Sequence, residues 1–362
     1  MKAYRVYIIP LLVFSQLIIT SCNKNEGQKL VASDKAVSFS KFENTKPLSL
    51  NKLGTIDTYS PWYLLPVDSI ILIYSDKTEY QVKIFSIAKG EVIGERLKNG
   101  AGPGEAQGIF STGIVGDSIW FYDITLSLLI KYKWDDFLKT DTAASKRFKI
   151  GHSFYSTSML NDSILVGAGL ESAPNKFHFY NIYTGHLKGS PQEYEIPPNI
   201  PLGTAKDALR CYVNLRSNKD NLMGDIALVG RYTDVVEIFD RDDRAYQKSI
   251  HGPDHFDPVF NIGKRSDYTY MSKKSDTRKA YVKSLSTNNY IYALYSGSLR
   301  SDRSGWSFGK NIHVFDWNGN PMFRYELKDY IYTYAVDKND QRMYIYFEND
   351  NSLNYAELEM VK

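Results

Sequence analysis

Four candidate metal ligands fall within one short stretch: His251, Asp254, His255 and Asp257. Imidazole and carboxylate together suit zinc. Pro253 and Pro258, however, mark the stretch as an irregular loop, and no further histidine stands nearby to complete a set. Solvated loop residues are the expectation there, and neither a metal nor any other cofactor is expected. Oxygen-rich runs that suit calcium occur at Asp240-Arg241-Asp242-Asp243 and Asp337-Lys338-Asn339-Asp340, and both read as turns between strands. Asn99-Gly100-Ala101-Gly102-Pro103-Gly104-Glu105 is glycine-rich but lacks the Lys-Ser/Thr of a phosphate cradle, and no helix is expected after it. Gly102 and Gly104 beside the rigid Pro103 fit a tight turn between structural units. The loop occurs only once, which keeps a ligand-binding role for Gly102, Pro103, Gly104 and Glu105 open. No Gly-x-Ser-x-Gly elbow occurs, no Cys/His pair, and no carboxylate pair fixed by local spacing. No residue is therefore assigned a catalytic role, although a site assembled from distant segments would leave no local motif.

Cys22 carries the clearest chemistry. Lys2 and Arg5 precede an apolar run from Val6 to Ile19 that is too short to span a bilayer, and small residues follow it. Ile19-Thr20-Ser21-Cys22 resembles a lipobox, in which a cysteine thiolate takes a lipid at sulfur. Residues 1–21 thus read as a lipoprotein signal peptide, with Cys22 lipidated and the protein anchored to a membrane, the outer membrane being favoured. The only other cysteine is Cys211, so no disulfide framework is expected. Its setting, Leu209-Arg210-Cys211-Tyr212-Val213, reads as a strand and makes it a small buried apolar residue. Removing Lys2 and Arg5 leaves 42 basic against 41 acidic residues, a net of +1. That balance, with no long basic run, gives no reason to expect nucleic acid.

The elements that must position any site are short strands. Residues 22–35 are polar and read as a flexible tether. From residue 36 onward, short runs rich in Tyr, Ile, Val and Phe alternate with Asp, Asn, Gly and Ser turns. One phrase recurs, a turn followed by a strand: Asp68-Ser69-Ile70-Ile71, Asp117-Ser118-Ile119-Trp120, Asp162-Ser163-Ile164-Leu165, Gly224-Asp225-Ile226-Ala227, Asn289-Tyr290-Ile291-Tyr292 and Gln341-Arg342-Met343-Tyr344. The anchors at 68, 117, 162, 225, 290 and 343 lie 49, 45, 63, 65 and 53 residues apart. A four-stranded propeller blade takes about 40–50 residues. Two intervals therefore carry insertions, one holding Pro191, Pro197, Pro198 and Pro201 and the other spanning 251–276. The expectation is an all-β, six-bladed β-propeller over 36–362, with four-stranded antiparallel blades. The sixth unit offers only three strands, so an N-terminal strand near 36–42 or 48–56 is expected to complete it and spare the ring an open edge. A two-sheet sandwich would have to hold too many strands. Most of the 28 tyrosines fall within strands and are expected to fill the space between blades, while Trp306 and Trp317 lie nearer turns and are candidates for a surface platform.

The stretch Asn99–Glu105 looks like the Gly-x-Gly-Pro-Gly-Glu signature of the TolB-like six-bladed propeller lipoproteins of Bacteroidetes. Ala280-Tyr281-Val282-Lys283, running on to Tyr290-Ile291-Tyr292-Ala293-Leu294-Tyr295-Ser296-Gly297, is similar to a second passage of that group. The resemblance implies a propeller in the cell envelope and implies no particular reaction. The functional expectation is a non-catalytic binding or scaffold propeller recognising a protein, peptide or glycan. The alternative is a propeller enzyme, a glycan lyase, glycosidase or metal-dependent lactonase, with its site in the central funnel.

Overall fold

The computed structural model describes residues 30, 36–58, 60–75, 78–140, 145–169, 173–216, 225–239, 246–303 and 305–359. Cys22, residues 1–21, which read as a signal peptide, and the acidic run at 240–243 lie outside them. Three short N-terminal strands come first: β1 (Val37–Ser38), β2 (Thr45–Pro47) and β3 (Asn51–Thr55). Six sheets follow in chain order. Blade 1 is β4 (Tyr63–Val67), β5 (Ile70–Tyr74), β6 (Tyr80–Ser86) and β7 (Glu91–Asn99), with the short β8 (Glu105–Ala106) parallel to β7. Blade 2 is β9 (Ile109–Val115), β10 (Ser118–Asp123), β11 (Leu128–Lys133) and β12 (Ser145–Lys149), with α1 (Trp134–Lys139) between the last two. Blade 3 is β13 (Ser156–Met159), β14 (Ile164–Ala168), β15 (Phe177–Asn181) and β16 (Leu187–Gly189). After α2 (Leu202–Ala208) comes blade 4: β17 (Cys211–Leu215), β18 (Ile226–Gly230), β19 (Val235–Phe239) and β20 (Tyr246–His251). A separate hairpin, β21 (Phe260–Arg265) and β22 (Tyr268–Lys273), leads to blade 5: β23 (Tyr281–Ser286), β24 (Tyr290–Tyr295), β25 (Gly309–Asp316) and β26 (Pro321–Ile331). Blade 6 is β27 (Thr333–Val336), β28 (Arg342–Phe347) and β29 (Ser352–Glu357).

The recurring phrase of the sequence is the second strand of each blade and the turn before it. β5, β18 and β24 are apolar almost throughout because a blade is covered by a neighbour on both faces, so side chains pointing either way are buried. The Asp and Asn residues hold the turns. Asn161 Oδ1 accepts from the N–H groups of Ser163 and Ile164, each at 2.9 Å, and Asp337 Oδ1 accepts from Asn339 and Gln341. Large rings fill the space between blades: Tyr74, Phe85, Tyr281, Tyr292 and Tyr325 are almost wholly buried.

The ring closes through β3, which pairs antiparallel with β29 in the register Ser352 to Thr55 and Tyr355 to Asn51. Blade 6 thus gains its fourth strand from the chain's N-terminal part. Gly54 in β3 meets the Ser86–Gly90 turn of blade 1 so closely that a Cβ there would lie 2.2 Å from the Gly90 carbonyl oxygen. The other two N-terminal strands extend different blades, each running parallel to an outer strand: β1 beside β20 in blade 4, and β2 beside β26 in blade 5. Among the described residues no helix is long and apolar enough to cross a membrane.

Candidate functional site

The first strand of each blade lies innermost, and β9, β13, β17, β23, β27 and β4 follow one another around the axis. They enclose a channel of about 670 Å³. Short polar side chains from these strands share the wall with larger ones. Ser111, Ser158, Asn214, Ser284 and Ser286 line the wall, and several also tie one inner strand to the next. Asn214 Nδ2 donates to Ser284 Oγ at 2.8 Å, Ser286 Oγ to the Leu215 carbonyl at 3.0 Å, and the Thr157 N–H to Ser111 Oγ at 3.2 Å. Rings of Trp62, Tyr155, Tyr212 and Tyr332 complete the wall.

Chain direction fixes which loops stand over this channel. Inner strands all start at one face, second strands return to it, and so the loops between blades and those between second and third strands share it. Both long insertions join consecutive blades and therefore lie on this face. They pack on one another: α2 lies against β22, with Asp207 Oδ2 accepting the Met271 N–H at 3.1 Å. Leu30, inside the segment read as a tether, is buried with Ile200, Ala205, Tyr232 and Met271 in this canopy. A second pocket of about 340 Å³ opens between α2 and the hairpin, lined by Arg210, Tyr232, Arg265, Tyr268 and Lys273 among others.

Cations gather where the two spaces meet. Arg231 follows β18, Lys279 precedes β23, Arg210 precedes β17, and Lys273 ends β22. Lys279 is 3% exposed and its ammonium stands 3.9 Å above the Trp306 ring. Burial, then repulsion from Arg231 and Lys273, pushes its pKa down to about 7. Lys283 in the channel wall donates to the Trp62 carbonyl and lies 4.3 Å over the Tyr63 ring, and burial pushes it down to about 7 as well. Such lysines change charge near neutral pH, which free lysine does not.

The residues singled out in the sequence are not brought to this mouth as a set. The loop at 100–105 links blades 1 and 2: the Gly102 N–H donates to Glu105 Oε2 at 2.7 Å, the Glu105 N–H to the Gly102 carbonyl at 3.1 Å, and Gly104 takes φ +78°. Arg147 donates to the Gly102 carbonyl and Tyr132 OH to that of Gly104, at 3.3 Å for the latter. His251, read as a solvated loop residue, is instead buried, with Nε2 3.1 Å from Asp234 Oδ1. Asp234 also accepts the N–H groups of Asp254, His255 and Phe256. The loop is therefore organised around a buried carboxylate. Among the described residues no group of three or more His, Cys, Asp or Glu is placed to hold a metal. Trp317 does not form a platform: it is 3% exposed between blades 4 and 5, its Nε1 donating to the Thr287 carbonyl at 3.1 Å. Lying beside a turn did not expose it, because the indole folds back into the inter-blade space. Trp306 does stand at the mouth. Cys211 is a buried free thiol, 3.8 Å from Tyr194 OH, and burial pushes its pKa up to about 11.

The model of the family described as TolB-like 6-blade propeller-like matches residues 38–339. The chain belongs to that family. Solved structures share the fold of this TolB-like propeller. One is a protein of Bacteroides fragilis described as exported, 13% identical with a TM-score of 0.58 over 90% of this chain and 100% of that one. Another is a member of the DUF4221 family from Bacteroides vulgatus, 13% identical with a TM-score of 0.54 over 87% of this chain and 95% of that one. No curated protein matches the TolB-like propeller described here. The cations at its mouth escaped local reading because residues 210, 231, 273 and 279 belong to four different loops or strand ends. The available signal was positional: Arg210, Arg231 and Lys279 each stand at or next to the end of an apolar strand, where the chain reaches the same face.

Proposed function

We propose that this TolB-like propeller is an exported, non-catalytic binding protein, held at the outer membrane by lipid on Cys22, whose channel takes a glycan chain. The observation that carries the binding reading is the channel wall, in which hydroxyl and amide groups and aromatic rings together line about 670 Å³. A sugar presents apolar ring faces edged by hydroxyls, so both kinds of wall are used at once. Export is supported by Lys2, Arg5 and the short apolar run before Cys22, and by the Bacteroides fragilis protein of the same fold described as exported.

Expressed with its own leader, the chain should incorporate an alkyne-palmitate probe and sediment with outer membranes, and Cys22→Ser should abolish both. Unlabelled wild-type protein in the soluble fraction would remove the tether. The soluble Cys22→Ser chain should bind members of a polysaccharide panel, and Tyr155→Ala should weaken that binding about fivefold, the worth of one ring face. If no polysaccharide binds, or if binding survives alanine at both Tyr155 and Trp62, the channel is not the binding site. One observation favours an enzyme instead: Lys279 and Lys283, each pushed down to about 7, can take up a proton near neutrality within the channel. Cleavage of a bound oligosaccharide, lost in Lys283→Met, would replace the binding reading.

A further inference from the structure

Four cations at the channel mouth are linked by three aromatic rings that they share. Arg210 and Arg231 both lie over Tyr155, at 4.8 and 5.5 Å from the ring centre. Arg231 and Lys273 both reach Tyr232, at 5.7 and 6.0 Å. Lys273 and Lys279 both reach Trp306, at 5.9 and 3.9 Å. Tyr232 and Trp306 are themselves stacked, with centroids 6.3 Å apart and planes 28° from parallel. A ring face attracts a cation but carries no charge to cancel it. Only Arg210 has a carboxylate partner among the described residues, Asp207 at 2.5 Å; no described acid pairs with Arg231, Lys273 or Lys279. Gathering like charges in this way is unfavourable in the free protein. A structural role for the cluster would be expected to bring acids with it, as at Lys131 with Asp162 or Lys176 with Glu237 elsewhere in the ring.

Two further donors point the same way. Arg231 Nε and Trp306 Nε1 are buried and have no hydrogen-bond acceptor among the described residues. A buried N–H without an acceptor is unfavourable, so both are poised for an oxygen supplied from outside. The cluster also joins the two spaces. Arg231, Lys279 and Tyr155 line the channel, while Arg210, Lys273 and Tyr232 line the pocket between α2 and the hairpin. A guanidinium recognises planar or tetrahedral oxyanions through paired N–H groups.

We propose that this cluster binds the carboxylate or sulfate groups of an acidic glycan, whose chain continues from the canopy pocket into the channel. The inference rests on the glycan reading above and narrows it to uronic-acid or sulfated polymers. Bound oxyanions neutralise three unpaired cations and accept from the two orphaned N–H groups, while the rings stack on the sugar faces. Binding then weakens as salt rises, because the attraction is between charges at a partly open site.

The test is calorimetry on the soluble full-length mature chain with Cys22→Ser. The probes are a galacturonate pentamer, its fully methyl-esterified counterpart, a chondroitin sulfate hexasaccharide and inorganic sulfate. At least one acidic oligosaccharide is expected to bind tenfold or more tighter than the ester, and to lose that margin in Lys279→Met and in Lys273→Met. Lys273 is exposed, so its replacement tests the idea without risk to the fold. Lys338→Met, in a turn on the opposite face, should leave binding intact. At pH 8 the acidic ligand should also draw about one proton from buffer, because an anion raises the depressed Lys279 toward its ordinary value. If the ester or other neutral glycans bind as tightly as the acids, the acidic-glycan inference falls while the channel reading stands. If no oligosaccharide binds, both fall. Inorganic sulfate binding alone would likewise overturn both and leave a simple anion site.

Discussion

Replacing Asp234 by alanine is expected to lower the unfolding free energy by about 3–5 kcal/mol, the usual cost of removing one partner from a buried charged pair. Asp234 is 1% exposed and gathers four groups: His251 Nε2 at 3.1 Å and the N–H groups of Asp254, His255 and Phe256 at 2.8, 2.9 and 3.2 Å. The imidazole ends β20, and the three amides come from the start of the long insertion that follows it. Without the carboxylate, three amides lose their acceptor, each worth about 1 kcal/mol or more, and the imidazole loses the charge beside it. Asp234→Asn keeps one acceptor oxygen and the shape, and should cost clearly less. Urea unfolding would show it; a cost below about 1 kcal/mol for the alanine variant would mean that water replaces the carboxylate.

The same pair sets a pH dependence whose sign can be worked out. Burial opposes the charged form of Asp234, but hydrogen bonds and the His251 charge outweigh it, and its pKa lies below the ordinary 3.8. Its contribution is present above pH 3.8 and is lost as pH falls through the lower folded value. For His251 burial again opposes charge, while Asp234 outweighs it and raises the pKa above 6.5. That contribution is complete below pH 6.5 and is lost as pH rises through the folded value. The gap between wild type and Asp234→Ala should therefore be widest between about pH 4 and 6.5 and narrow on both sides.

The ring was legible because its local rules repeat. A buried second strand with Asp, Asn or Gly before it reappears six times, and blades covered on both faces demand continuous apolar runs such as Ile70–Tyr74. The missing strand of unit six was legible by subtraction, and of the two stretches named, 48–56 contains β3 while 36–42 contains β1, which extends blade 4 instead. A two-residue strand has no periodicity to betray its partner. The Asp234–His251 pair was hidden for a related reason: it joins the loop after β18 to the end of β20, and neither residue looks unusual in its own sequence context. The cationic mouth was hidden more deeply. Its residues share no spacing, and only the ring's common face and the packing of α2 on β22 bring Lys273 toward Arg231.

Removing residues before Asp57 is expected to abolish cooperative folding altogether, because the circle then lacks its last strand. β3 supplies the ladder to Ser352–Tyr355, and the adjoining Ile56 is 1% exposed among Leu64, Ile71, Phe85, Tyr344 and Leu353, residues of blades 1 and 6 together. Ile56→Ala alone should cost about 2–5 kcal/mol. Loss of the whole strand adds an unpaired β29 edge, which invites association with other chains. The truncated protein should show a broad, shallow urea transition and aggregate, whereas a transition in it as sharp as that of the wild type would show that six sheets of three to five strands hold without closure. Geometry also predicts the rescue. β29 runs antiparallel to β3 with Tyr355 opposite Asn51, so a copy of residues 48–58, which carries β3 but not β2, appended after Lys362 through a short flexible linker could turn back as a hairpin onto the same edge. That permuted chain should recover a cooperative transition. Recovery would establish that β3 acts by sealing the sheet, independently of where in the chain it is encoded; failure with the strand in place would mean that β1 and β2, lost with the truncation and bound to blades 4 and 5, carry the stability instead.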